Sequence, residues 1–181
     1  MCCRSNGERI ARHNALRDAL FATAQSAALG PVREDRFLLP GDDRRPADVL
    51  VPRWAQGRYV AWDVTVVHPL QQKLVARAAT EPGHALTVAF ARKVGAVAEA
   101  CRRQGISFVP LAAESLGGWH EVAVAELGRL AAALSRHTGQ PEEETSRHLF
   151  GRMSVLLMRG NAALFSNRIP DFIDPRINGE L

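Results

Sequence analysis

The run from Arg58 to Val67, RYVAWDVTVV, constrains the fold most, because it is almost continuously apolar or β-branched. Such a run is typical of a strand that is covered on both faces of its sheet. An acid, Asp63, nevertheless stands in its middle, although aspartate is depleted in strands. Burying a carboxylate without a partner is costly. Asp63 must therefore meet a cation, which can be an arginine, a lysine or a metal ion.

Apolar periodicity and turn residues place the other elements around this strand. Helical patterns cover 8–29, 84–104, 120–137 and 141–165, and 70–79 allows a short further helix. Strand patterns cover 32–39, 48–51, 58–67 and 106–111. The order is therefore helix, three strands, helix, strand and two C-terminal helices. This order predicts an α/β fold.

Composition sets broad limits on the kind of protein. A chain of 181 residues with 46% apolar residues can bury a core without disulfides. No apolar run approaches the ~20 residues of a membrane-spanning helix. Three cysteines are an odd number that does not indicate a disulfide framework, so we expect an intracellular protein. The net charge of +4 is compatible with a polyanionic partner but does not require one.

A second acid, Asp48, stands at the start of the strand that precedes the central run. If these two strands form a hairpin, Asp48 and Asp63 come close, and close carboxylates repel unless they share a cation. Mg²⁺ prefers oxygen ligands and suits such a pair. Lys93, one of only two lysines, lies in the following helix and can point at the acids. The alternative is structural, with Asp63 paired to one of the many arginines.

These pieces occur together in one known family. They are RHN at 12–14, RPADVLV at 45–51, AWDVTV at 61–66, Lys93, and ISFVPLAAESLGGW at 106–119. In this order the chain resembles the restriction-like PD-(D/E)XK endonuclease domain of reverse-transcriptase polyproteins from site-specific non-LTR retrotransposons. The resemblance spans about 4–165. It implies a restriction-endonuclease-like core, made of a helix, a three-stranded meander, a helix and a strand, with two additional C-terminal helices.

The resemblance implies a Mg²⁺- or Mn²⁺-dependent endonuclease that nicks DNA. In it, Asp48, Asp63 and Val64 hold the metal, and Lys93 is the catalytic cation. Thr65 stands where the family usually has a lysine, two residues after the second acid. The resemblance therefore implies that the following helix supplies the lysine. A second departure is the alanine inserted in Pro46-Ala47-Asp48.

The resemblance also implies partners and boundaries. His13 can contact the site from the side or bind DNA, and DNA contacts are also expected from Arg45 and Trp54. In the parent element a reverse transcriptase domain accompanies the nuclease, and the expected location is nuclear. The expected regions are a zinc-knuckle remnant at 1–7, the nuclease core at 8–118, its helical extension at 119–165 and an irregular tail at 166–181.

A decayed element is the alternative reading. Cys2 or Cys3 would be the last ligand of a zinc knuckle whose remainder is absent, so no intact zinc site is expected. The sequence also contains no reverse transcriptase. The chain would then be a catalytically inactive remnant, acting at most as a weak DNA-binding or protein-interaction module.

Overall fold

The computed structural model describes residues 5–34, 38–39 and 46–166. Within these ranges the chain forms five helices and four strands, and a short 3-10 turn, Ala55–Gly57, lies between the second and third strands. In chain order the elements are α1 Ser5–Ser26, β1 Val32–Arg33, β2 Val49–Val51, β3 Tyr59–Val67, α2 Val75–Ala78, α3 His84–Arg103, β4 Ile106–Glu114, α4 Glu121–Thr138 and α5 Glu142–Ser166. No helix of this part is long and apolar enough to cross a bilayer.

The strands form one open sheet in the order β1-β2-β3-β4. The first three are antiparallel neighbours, and β2 faces β3 with Val49 opposite Trp62. After β3 the chain passes through α3 and returns as β4, which runs parallel to β3 with Val67 opposite Glu114. The mixed α/β architecture and the β2–β3 hairpin expected from the sequence are therefore present.

Helices cover both faces of the sheet, and β3 is buried between them. On one face Val60, Trp62 and Val64 pack with residues of α1, α4 and α5. On the other face Ala61 packs with Cys101 of α3. Side chains alternate along a strand, so Asp63 shares the α3 face with Ala61. Helix α3 therefore lies over the mid-strand acid.

Two strands differ in length from their sequence patterns. The first pattern covers 32–39, but β1 ends at Arg33, because Glu34 adopts a positive φ of 45° that a strand cannot continue. Residues 35–37 lie outside the described ranges. The last strand continues past residue 111 to Glu114, since β3 offers it a partner at every position. Pro110 is tolerated in β4 because this strand lies at the sheet edge.

Candidate active site

The two acids meet where β2 begins beside β3. Asp48 directly precedes β2, and its main-chain N–H donates to the carbonyl of Trp62 at 2.9 Å. Its carboxylate Oδ2 accepts a hydrogen bond from the N–H of Val64 at 2.6 Å. The Asp48 side chain is thus bound to the residue that follows Asp63. Both acids are buried, with exposed fractions of 8% and 6%.

Lys93 of α3 contacts Asp63 directly. Its Nζ donates to Oδ1 at 3.0 Å and lies 2.8 Å from Oδ2. Oδ2 is buried and accepts no hydrogen bond. Its contact with Lys93 is therefore an ion pair whose angles do not meet those of a hydrogen bond. Burial raises the pKa of Asp63 most, and the negative charge of Asp48 raises it further, whereas Lys93 opposes both. The acids are therefore close enough to repel each other.

His13 of α1 contacts Asp48. Its Nε2 lies 3.1 Å from Asp48 Oδ2, the same oxygen that accepts from Val64. The hydrogen bond to Asp48 raises the pKa of His13 above its ordinary value, although burial acts in the other direction. Asp48 Oδ1 makes no hydrogen bond with any residue in the described ranges. One oxygen of this carboxylate is therefore held in place while the other is open.

The raised pKa of His13 predicts a pH-dependent contribution to stability. The protonated imidazole stabilises the folded state below its ordinary pKa of 6.5, and this stabilisation is lost as pH rises through the folded-state pKa. His13→Gln should therefore lower the free energy of unfolding more at about pH 5.5 than at about pH 9. Urea titrations of both proteins at the two pH values measure this difference. An equal loss at both would show that His13 contributes by packing alone.

Glu34 also lies beside Asp48, but it has its own partner. Its main-chain N–H donates to the carbonyl of Asp48 at 2.9 Å. Its carboxylate pairs with Arg17 of α1, a side chain that is only 11% exposed and also pairs with Asp18. Glu34 therefore fixes the backbone of Asp48, and its own carboxylate is engaged by arginine.

The remaining residues named from the sequence lie elsewhere. The side chain of Val64 is buried in the core, so this residue can offer a metal only its carbonyl oxygen. Trp54 lies between β2 and β3 and packs edge-on against Trp62, with ring centroids 5.0 Å apart. It belongs to the α1, α4 and α5 side of the sheet and does not join the acids. Arg45, Cys2 and Cys3 lie outside the described residues.

A metal ion is held by several donor groups that converge on one point. Within 5–34, 38–39 and 46–166, no group of three or more His, Cys, Asp or Glu side chains is arranged to hold one. Mg²⁺, however, is usually bound by one or two carboxylates and completes its shell with water and substrate phosphate. Asp48 Oδ1 has no hydrogen-bond partner in these ranges, whereas Asp63 Oδ2 is buried beside the ammonium of Lys93. Two carboxylates are the type of donor that Mg²⁺ takes, and they lack the ligands of a closed zinc site.

No family model and no curated protein matches the chain. Function must therefore be inferred from the site. Two acids at the β2–β3 junction, an ammonium from α3 and an imidazole from α1 come together from separate parts of the sequence. A buried acid with a raised pKa beside a specific charge partner, as at Asp63, is typical of functional sites, although structural ion pairs also produce it.

Proposed function

We propose that the protein is a metal-dependent DNA endonuclease that nicks a strand by hydrolysing a phosphodiester bond. The observation that carries this proposal is the meeting of Asp48 and Asp63 at the β2–β3 junction, with Lys93 on Asp63. Fixed oxygen donors on a sheet and an adjacent ammonium are what metal-assisted phosphodiester hydrolysis requires.

Each residue has a distinct role in this proposal. Asp48 and Asp63 hold Mg²⁺ or Mn²⁺, which when bound polarises a phosphoryl oxygen and lowers the pKa of a water molecule. Lys93 carries the positive charge that stabilises charge developing on the phosphate. His13 and the N–H of Val64 hold Asp48 Oδ2 and so orient this carboxylate. Thr65, on the same face as Asp63, stands where the family usually has a lysine, and in this proposal Lys93 of α3 supplies that charge instead.

The order of the elements agrees with a PD-(D/E)XK-type core, and the proposed origin within a non-LTR retrotransposon rests on the resemblance of the sequence motifs. A helix is followed by a three-stranded antiparallel meander, a second long helix and a parallel strand. The acids stand at the start of the second strand and in the middle of the third. In the parent element, the partners in this proposal are DNA and a reverse transcriptase domain, and the location is the nucleus.

An inactive remnant is the second candidate, and one observation favours it. Lys93 and His13 already pair with the two acids. Both carboxylates thus have cationic or hydrogen-bonding partners without any metal. These contacts can stabilise the fold in a protein that has no catalytic activity. Weak, salt-dependent DNA binding would then be the only activity to expect.

Nicking of supercoiled plasmid DNA tests the two candidates. The purified full chain should convert the supercoiled form to the relaxed form with Mg²⁺ or Mn²⁺, and EDTA should abolish this conversion. Asp63→Ala should abolish it as well. A folded protein that leaves the plasmid supercoiled with both metals would support the inactive remnant.

A further inference from the structure

A cavity of about 420 Å³ lies at the carboxyl ends of β3 and β4, apart from the two acids. The ends of parallel strands are the usual place for ligands in α/β sheets. The volume lies within the ~300–1,000 Å³ of small-molecule sites. The cavity lining includes Arg9, Arg12, His68, Ser115, Asn161 and Phe165.

Two arginines of α1 give the cavity its charge. In the described part of the chain, neither Arg9 nor Arg12 forms an ion pair with a carboxylate. The Nε of Arg12 is buried and donates no hydrogen bond. Burial first, and then the charge of Arg9, lowers the pKa of Arg12. Two neighbouring guanidinium groups without a carboxylate partner in this part of the chain favour an anion, and the guanidinium fork suits phosphate.

Helix α5 holds Arg12 in a fixed position. A Cβ atom added to Gly160 would lie 2.4 Å from Cγ of Arg12, so the glycine makes room for the aliphatic part of this side chain. The next residue, Asn161, accepts a hydrogen bond from Arg12 Nη1 at 2.6 Å. The guanidinium is therefore fixed at the cavity by two neighbouring residues of one helix.

The rest of the lining is both polar and apolar. Nδ1 of His68 lies 2.6 Å from Oγ of Ser115, and the side-chain amide of Asn161 donates to the Ser115 carbonyl. Beside these groups, Leu116 is 63% exposed and Phe165 is 69% exposed. Exposed aromatic rings next to cationic grooves are the means by which proteins bind unpaired nucleic acid.

We propose that this cavity takes one nucleotide of an unpaired DNA strand, with its phosphate on Arg9 and Arg12 and its base against Phe165. The identity of the strand rests on the proposed nuclease function. Val66 also lines the cavity, three residues along β3 from Asp63 and on the opposite face of the sheet.

Binding of a short fluorescein-labelled single-stranded DNA, measured by anisotropy in EDTA, tests the cavity separately from cleavage. Arg12→Gln should weaken binding about 10-fold through loss of a charged phosphate contact. Phe165→Ala should weaken it about 5-fold or more through loss of base stacking. Thymidine 5′-monophosphate should compete for the site better than thymidine or inorganic phosphate. If thymidine 5′-monophosphate competes at concentrations as low as that of the labelled strand, the cavity belongs to free nucleotides, and this result would contradict the strand proposal.

Gly160→Ala tests the fixed position of Arg12 without changing charge. It should weaken binding, whereas Gly151→Ala on the same helix, with open space around the added Cβ, should not. Urea titration shows whether each variant is folded. Arg147→Gln controls for net charge, because this residue lies 14 positions from Asn161, or about 21 Å along α5.

The outcomes separate the cavity from the nuclease. Tight binding that depends on Arg12 and Phe165, without plasmid nicking, supports the cavity and contradicts the nuclease. Nicking with unchanged binding in Arg12→Gln and Gly160→Ala contradicts the cavity alone. If Arg12→Gln weakens DNA binding and Phe165→Ala does not, the nucleotide proposal is contradicted, because the cavity would then bind phosphate without a base.

Discussion

Asp63→Asn should lower the rate of plasmid nicking by more than about 100-fold, since even residues that only orient metal ligands cost about 10–100-fold when replaced. The substitution keeps the volume of the side chain but removes the charge that holds a cation. Lys93, whose side chain is 30% exposed, can turn toward water when its partner becomes neutral. The fold should therefore persist, and the loss should appear in the nicking rate.

Glu99→Gln provides the matched control for this substitution. Glu99 belongs to α3, the helix that covers Asp63, but it is exposed and pairs with Arg102 and Arg103 at the end of that helix. Its replacement removes one negative charge without touching the site, so nicking should be unchanged. Equal nicking by Asp63→Asn and wild-type protein, at matched metal concentration, would remove Asp63 from the metal site.

The general order of the elements could be predicted from the sequence because it depends on local patterns. The run through Val60, Trp62 and Val64 has the composition of a doubly covered strand, and α3 and β4 follow from apolar spacing. The extent of the edge strands could not be predicted. β1 ends at the positive φ of Glu34, and β4 extends to Glu114 because its partner does, which depends on pairing between distant segments.

The site was partly visible in the sequence for a similar reason. A carboxylate inside a strand pattern signals a partner, and this pointed to Asp63 and then to Lys93. The partner of His13 gave no such signal, because it depends on how α1 lies across the sheet. His13 was expected either to contact the site from the side or to bind DNA, and the structure shows the first of these, a contact with the Asp48 carboxylate.

The cavity at Arg12 was not predicted, although one residue could have indicated it. A glycine inside a helix costs about 1 kcal/mol relative to alanine and often marks a close approach. Gly160 is such a residue, and its neighbour across the helix pair is Arg12. Nothing in the sequence shows which of the helical glycines has this role, since Gly151 in the same helix faces open space.

Lys93→Met should lower the free energy of unfolding by about 1–3 kcal/mol near neutral pH, because it leaves the buried carboxylate of Asp63 without its cation. Burial already raises the pKa of Asp63, and removing Lys93 raises it further. The folded variant then binds a proton more readily than the unfolded chain. The deficit should therefore be full above the folded-state pKa of Asp63 and shrink as pH falls through it, where the acid becomes neutral.

Urea titrations of Lys93→Met across this pH range, beside Lys73→Met, measure the effect. Lys73 is the other lysine of the chain and is exposed, so its replacement should change stability by less than about 0.5 kcal/mol at every pH. A deficit in Lys93→Met that stays constant with pH would mean that the aliphatic part of the lysine, and not its charge, stabilises the fold. A deficit that follows the protonation of Asp63 would establish a charge interaction at the place where the proposed nuclease needs one.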